Sequence, residues 1–264
     1  VGHTEIGGLR VAFDRTGDGP SLVLLHGILQ DARAWRPQLE GLRDRFGILA
    51  WDAPGCGRSE DPPEHWRLPE YADCLAALLS ELGVTDPVLC GLSWGGTLAL
   101  EFQHRHPGRS TALVLVGAYA GWAGSLSDRE CRARLASCLA QAGLRPEEFV
   151  PDWMPGLLTP RAPSGVVDEV TGIMSDFHPS GFRTMARAVA AADLRPHLAR
   201  IDVPALVVHG DDDRRAPAGT VGAALAGAIP GARLVVLPES GHLCNVEQPG
   251  AFDRAVRDFA ETVD

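Results

Sequence analysis

The sequence predicts an α/β protein with a mostly parallel central sheet, helices on both faces and a small helical insertion. Three observations point there. Short Val- and Leu-rich runs alternate with amphipathic stretches of helical length, the pattern of strands buried on both faces of a sheet. The stretch from about 118 to 195 contains no strand-like run. A chain of 264 residues that is 45% hydrophobic has ample material for one large core.

Taken in order, residues 4–13 form a hairpin added at the sheet edge, turning at Gly7-Gly8. Strands follow at 21–26, 47–51, 87–90 and 112–116, separated by helices at about 32–44, 69–82 and 94–104. In the second helix Tyr71, Leu75, Leu78 and Leu82 recur at spacings of three and four and share one face. Later come strands at 205–209 and 233–237, a helix near 218–228 and a last helix at about 249–263. Between them, helical patches at 128–142, 166–177 and 182–192 are broken at Pro146, Pro151, Pro155, Pro160, Pro163 and Pro179. A structureless loop of that length is improbable in a compact fold. The core is therefore assigned to 1–117 and 198–264, and a helical cap to 118–197.

Charge and composition exclude several classes. A net charge of −10 leaves no electrostatic footprint for nucleic acid or an anionic membrane. No apolar stretch approaches transmembrane length, and the first residues show no signal-peptide pattern. The six cysteines are scattered without a C-x-x-C pair and read as free thiols in a reducing, cytoplasmic setting. The expected partner is a small-molecule substrate, the expected state a monomer or homodimer. All 24 basic residues other than histidine are arginine. Without lysine there is no Schiff base, no pyridoxal anchor, no Walker-A lysine and no Ser-Lys dyad.

The chemistry starts at Gly91-Leu92-Ser93-Trp94-Gly95-Gly96, placed between the run Val88-Leu89-Cys90 and a helical stretch. A strand, a sharp glycine-bounded turn and a helix present a serine hydroxyl at the top of a sheet. A serine needs a general base. His242 stands just beyond the last core strand, in Ser240-Gly241-His242, and imidazole titrates near neutrality. Of the other histidines, His104 and His106 end a helix, His26 and His209 shape loops after strands, and His3, His65, His178 and His197 are surface or lid residues. An acid to orient the base belongs after the strand at 205–209, where Asp211, Asp212 and Asp213 all qualify on chemistry alone. An oxyanion hole takes one N–H from Trp94, after the nucleophile, and one from the loop at His26-Gly27-Ile28, assigned to Ile28. No spacing gathers metal ligands, and no metal or organic cofactor is expected.

These motifs, in this order, resemble the α/β-hydrolase fold over most of the chain. The family's His-Gly loop is similar to His26-Gly27, and its D-x-P-G-x-G-x-S turn to Asp52 through Ser59. Its G-x-x-D-x-x-x-P loop matches Gly210, Asp213 and Pro217, which selects Asp213. Its G-H-x-x-x-x-E-x-P ending matches Gly241, His242, Glu247 and Pro249. The resemblance is greatest to 3-oxoadipate enol-lactonase-type esterases and lactonases, although Trp94 after the serine is similar to proline iminopeptidases. It implies hydrolysis of an ester or lactone of a small, largely apolar or cyclic substrate through an acyl-enzyme. It also leaves room for C–C or amide cleavage, for a ring closure in natural-product biosynthesis, or for a small-molecule receptor. Relatives that act on epoxides or haloalkanes carry aspartate where Ser93 stands.

Substrate contacts are expected from Trp35, after the oxyanion loop, and from Trp122, Trp153, Met154, Met174 and Phe177 in the insertion. A substrate carboxylate would be met by Arg129, Arg132 or Arg183.

Overall fold

The computed structural model describes residues 1–263. Eight strands form one sheet: β1 (Gly2–Ile6), β2 (Leu9–Thr16), β3 (Ser21–Leu25), β4 (Gly47–Trp51), β5 (Val88–Leu92), β6 (Ala112–Val116), β7 (Ala205–Gly210) and β8 (Arg233–Leu237). Their spatial order is β1-β2-β4-β3-β5-β6-β7-β8. The hairpin β1–β2 joins β4 antiparallel, and every pairing from β4 to β8 is parallel. Every residue of β5, β6 and β7 is buried, as strands covered on both faces must be. At the far edge the prediction of a buried strand gives way: Leu234 and Val236 of β8 are exposed.

The helices are α1 (Arg36–Gly41), α2 (Leu68–Glu81), α3 (Trp94–Arg105), α4 (Trp122–Ser125), α5 (Asp128–Gln141), α6 (Pro146–Leu157), α7 (Ser164–Ser175), α8 (Pro179–Ala191), α9 (Arg195–Leu198), α10 (Ala223–Ala228), α11 (Cys244–Glu247) and α12 (Pro249–Ala260). The six from α4 to α9 all lie between β6 and β7. No helix among the described residues is long and apolar enough to cross a membrane.

Three segments depart from the sequence reading. The stretch 32–44 is not one helix: a 3₁₀ turn at Ala32–Trp35, capped by the Asp31 carboxylate, hands over to α1. Pro37 sits in the first turn of α1, where its missing N–H costs nothing and its fixed φ starts a new helix. The stretch 218–228 opens with a wide turn at Ala218–Gly222 before α10. The third departure is α6, read as proline breaks, which is helical through Pro151 and Pro155. Phe149, Val150, Trp153 and Leu157 are buried along it, and that packing outweighs the proline penalty.

One carboxylate is held where burial works against its charge. Asp253 on α12 approaches Gly41 of α1 so closely that a Cβ there would lie 2.0 Å from its Oδ2. Gln38 donates to its Oδ1 at 3.2 Å. Burial raises its pKa to about 6, against the opposing pull of Gln38 and Arg257. An acid with a raised folded-state pKa binds its proton more tightly when folded, so its contribution is lost as pH rises from about 4 through 6. Asp253→Asn is therefore expected to raise the unfolding free energy measured in urea at about pH 7.5, by about 1 kcal/mol after allowing for solvent screening. The gain should vanish near pH 4, and an equal gain at both pH values would contradict this account.

Candidate active site

The loops at the carboxyl ends of the parallel strands carry the site, as in other open α/β sheets. Ser93 follows β5 directly and occupies φ +54° and ψ −109°, a conformation most residues avoid. Its N–H donates to the Val116 carbonyl at 2.7 Å, and its own carbonyl accepts from Thr97 N–H at 3.1 Å. Two glycines are needed for that turn. A Cβ at Gly91 would lie 2.2 Å from the Gly95 carbonyl oxygen, and one at Gly95 would lie 2.1 Å from that of Leu25. Only bare backbone lets α3 approach β3 and β5 this closely.

Ser93 and His242 line one cavity of about 10 Å³, together with Ile28, Trp153, Leu157 and Arg215. That volume holds about one water. The His242 ring packs against the end of β6, where a Cβ on Gly117 would come within 3.0 Å of its Nδ1 and Cε1. His242 Nδ1 lies 2.9 Å from Asp213 Oδ2. The other oxygen, Oδ1, accepts from the Arg215 and Ala216 amides at 2.9 and 2.8 Å. Burial pushes the Asp213 carboxyl up. The His242 charge and hydrogen bonds from His209, His242 and the Ala216 amide outweigh it and hold the group well below the usual carboxylate range. Asp211 and Asp212 are exposed and do not reach His242.

The Ile28 amide borders the same cavity and donates to no acceptor among the described residues. Trp94 opens α3, so its N–H has no partner within the helix. Its indole is buried against Tyr71, ring centroids 4.9 Å apart, which leaves the amide as its contribution to the site. Gly27 N–H is held by Gln30 Oε1 at 3.1 Å. His26 Nδ1 lies 2.8 Å from the Gly27 carbonyl, and its Nε2 lies 2.9 Å from the Ala53 N–H. Nδ1 is thus the donor and Nε2 the acceptor, and burial lowers the ring's pKa. The Asp52 turn is structural: its carboxylate accepts from the Ala32 and Arg58 amides, and Ser59 Oγ donates to its carbonyl.

Glu247 ties the histidine loop to the helical insertion. One carboxylate oxygen accepts from the Gly241 N–H at 2.7 Å, and the other accepts from both N–H and Oγ1–H of Thr159 at 2.8 and 2.7 Å. The Leu243 N–H donates to the Leu157 carbonyl at 3.0 Å. The end of α6 and the loop bearing His242 are therefore fixed to one another.

The substrate-contact expectations need correction. Trp153 borders the serine cavity, its Nε1–H held by Gln141 at 2.9 Å. Phe177 lines a neighbouring small cavity with Gln30 and Phe182. The other four do not reach either. Trp35 turns into the core against Phe252, Trp122 and Met174 are buried in packing between helices, and Met154 lies against Thr171 of α7. Arg132 and Arg183 pair with Asp128 and Glu64 on the surface, and Arg129 is exposed. Sequence reasoning missed Gln30, Arg215 and Leu243, which line the cavity beside Leu157.

Sheet, strand-end loops and helical insertion together define a hydrolytic enzyme of the α/β class. The particular family is the alpha/beta hydrolase family, whose model matches residues 22–255, and the chain belongs to it. The 3-oxoadipate enol-lactonase 2 of Acinetobacter baylyi is 28% identical over 244 residues, spanning 90% of this chain and 88% of that protein. A thermophilic esterase from Thermogutta terrifontis superposes with a TM-score of 0.92 at 28% identity, covering 100% of this chain and 99% of that one. An enol-lactonase from Burkholderia xenovorans gives 0.90 at 27% identity, over 98% of this chain and 100% of the other.

Proposed function

We propose that the chain is a serine esterase or lactonase acting on a small, largely apolar or cyclic substrate through Ser93, His242 and Asp213. The observation that carries this reading is the cavity shared by Ser93 and His242, with the far ring nitrogen of His242 bonded to a buried, ionised Asp213. Kinship with an esterase and with enol-lactonases supports the ester or lactone bond.

The steps follow from the donors present. Asp213 accepts from Nδ1–H and so leaves Nε2 of His242 unprotonated. Nε2 takes the Ser93 hydroxyl proton as Oγ bonds to the substrate carbonyl carbon. The carbonyl electron pair moves to oxygen, where the Ile28 and Trp94 amides stabilise it. The bond to the alkoxy oxygen then breaks, His242 gives that oxygen its proton, and an acyl-Ser93 remains. Water, deprotonated by His242, attacks the acyl carbon, and the proton returns to Ser93 as the acid departs.

Helices α4 to α9 act as a cap in this reading. A space of about 10 Å³ is too small for a substrate, so the side chains that wall it, Trp153 of α6 among them, have to rearrange while the end of α6 stays tied to the histidine loop.

A fluorophosphonate probe tests the reading without knowledge of the substrate. It should modify one residue, Ser93, read by peptide mass spectrometry, and His242→Ala should abolish the modification. Labelling that is absent, or that persists without His242, would remove the basis for the proposal.

A further inference from the structure

Arg215 shares with Arg134 the lack of a paired carboxylate, unlike the other arginines around the site. Its neighbour Arg214 pairs with Asp212 at 3.2 Å, and Arg33 and Arg58 each hold two carboxylates. The Arg215 guanidinium makes no ion pair and no hydrogen bond among the described residues. It lies over the Trp153 ring, Cζ 4.2 Å from the centroid, and its stem runs beside Gly156 of α6. The nearest acid in sequence, Asp213, is already used: both of its oxygens are committed to backbone amides and to His242.

A second cation sharpens the imbalance. Arg134 of α5 donates to Tyr119 Oη at 2.9 Å and to the Arg215 carbonyl at 3.0 Å, not to a carboxylate. Burial, with Arg134 adding to it, lowers the Arg215 pKa, yet a guanidinium stays protonated in proteins. Arg215 is half-buried, and a charge drawn out of water normally has a partner. Here the fold offers only an aromatic face, a weak substitute.

Location indicates what would complete the pair. Arg215 borders the cavity of Ser93 and His242, and it also borders a groove of about 540 Å³ with Leu126, Arg134, Leu198, Val221 and Leu225. That volume suits a small ligand, and Arg215 stands between it and the serine.

We propose that Arg215 is the specificity-determining residue of this site, its guanidinium pairing with a carboxylate carried by the ester or lactone substrate. The inference rests on the hydrolase reading for the bond cleaved, but not for the anion bound. A planar fork of N–H donors matches a carboxylate in a bidentate pair, and the substrate would supply the charge that the fold withholds.

Two substrates of matched chain length isolate the charge: monoethyl glutarate and ethyl pentanoate, with acid release followed by pH-stat. The wild-type ratio of kcat/KM should favour the glutarate ester. In Arg215→Met that ratio should fall on the order of tenfold or more, with Arg215→Lys intermediate because it keeps the charge and loses the fork. Calorimetric binding of glutarate to Ser93→Ala protein, with and without Arg215→Met, reads the anchor without any turnover. Loss of binding with Arg215→Met supports the assignment even if no ester is cleaved. An unchanged ratio, or glutarate binding indifferent to Arg215→Met, overturns it while leaving the hydrolase reading intact. A wild-type ratio at or below one overturns it with no variant needed.

Discussion

Ser93→Ala is expected to lower kcat for any cleaved ester by about 10⁴-fold or more while leaving the thermal unfolding of the protein within about 0.5 kcal/mol of wild type. The two halves of that expectation come from different parts of the structure. The loss follows from chemistry: no lysine exists in the chain, and no other hydroxyl borders the cavity that His242 lines. The retained stability follows from backbone: the turn is held by Ser93 N–H on Val116 and by the Ser93 carbonyl on Thr97, neither of which involves the hydroxyl. A positive φ of 54° strains alanine as it strains serine. Adding His242→Ala to Ser93→Ala should cost little further, because residues that act as one unit are not additive. Turnover that survives within about tenfold would place the chemistry elsewhere.

Ile28, Ser93, Asp213 and His242 were readable from the chain for a local reason. Each stands at the end of a strand whose apolar run is unmistakable, and the tight turns leave only glycine at Gly91 and Gly95. Asp213 could not be told from Asp211 and Asp212 by chemistry; the motif resemblance singled it out, and in the structure it alone faces His242. What failed was tertiary in origin. Pro151 and Pro155 signal a break in any local reading, and only the burial of Phe149 and Trp153 keeps α6 helical. Trp35 follows the oxyanion loop in sequence yet turns away from it into the core. Arg214 and Arg215 are equivalent as letters; one extends to an exposed carboxylate and the other lies under α6 against Trp153. Periodicity and spacing report which face a residue occupies, not whether its charge finds a partner.

Asp213→Asn is the second large effect, expected at about 10³- to 10⁴-fold in kcat with the fold retained. The geometry fixes how the amide must sit. Oδ1 accepts two backbone amides, from Arg215 and Ala216, so an asparagine keeps its oxygen there and turns its NH₂ toward His242. Nδ1 of the imidazole, 2.9 Å from that position, then faces a donor and must itself accept. The ring proton moves to Nε2, where it points at Ser93, and the base becomes a donor to the group it should deprotonate. Nitrogen-15 shifts of His242 should report the change of tautomer directly. Wild-type Asp213 is held well below the usual carboxylate range, against the opposing push of burial, by the His242 charge and the bonds it accepts. Its contribution to stability is present above the unfolded-state pKa of about 4 and is lost only as pH falls through its depressed folded value. Protonation of Asp213 therefore does not set the acidic limb of the pH–rate profile. If Asp213→Asn retained full activity with His242 still protonated at Nδ1, the carboxylate would be a structural cap for the loop at 213–216 and the orientation of the base would have to come from the packing of Gly117 against the ring.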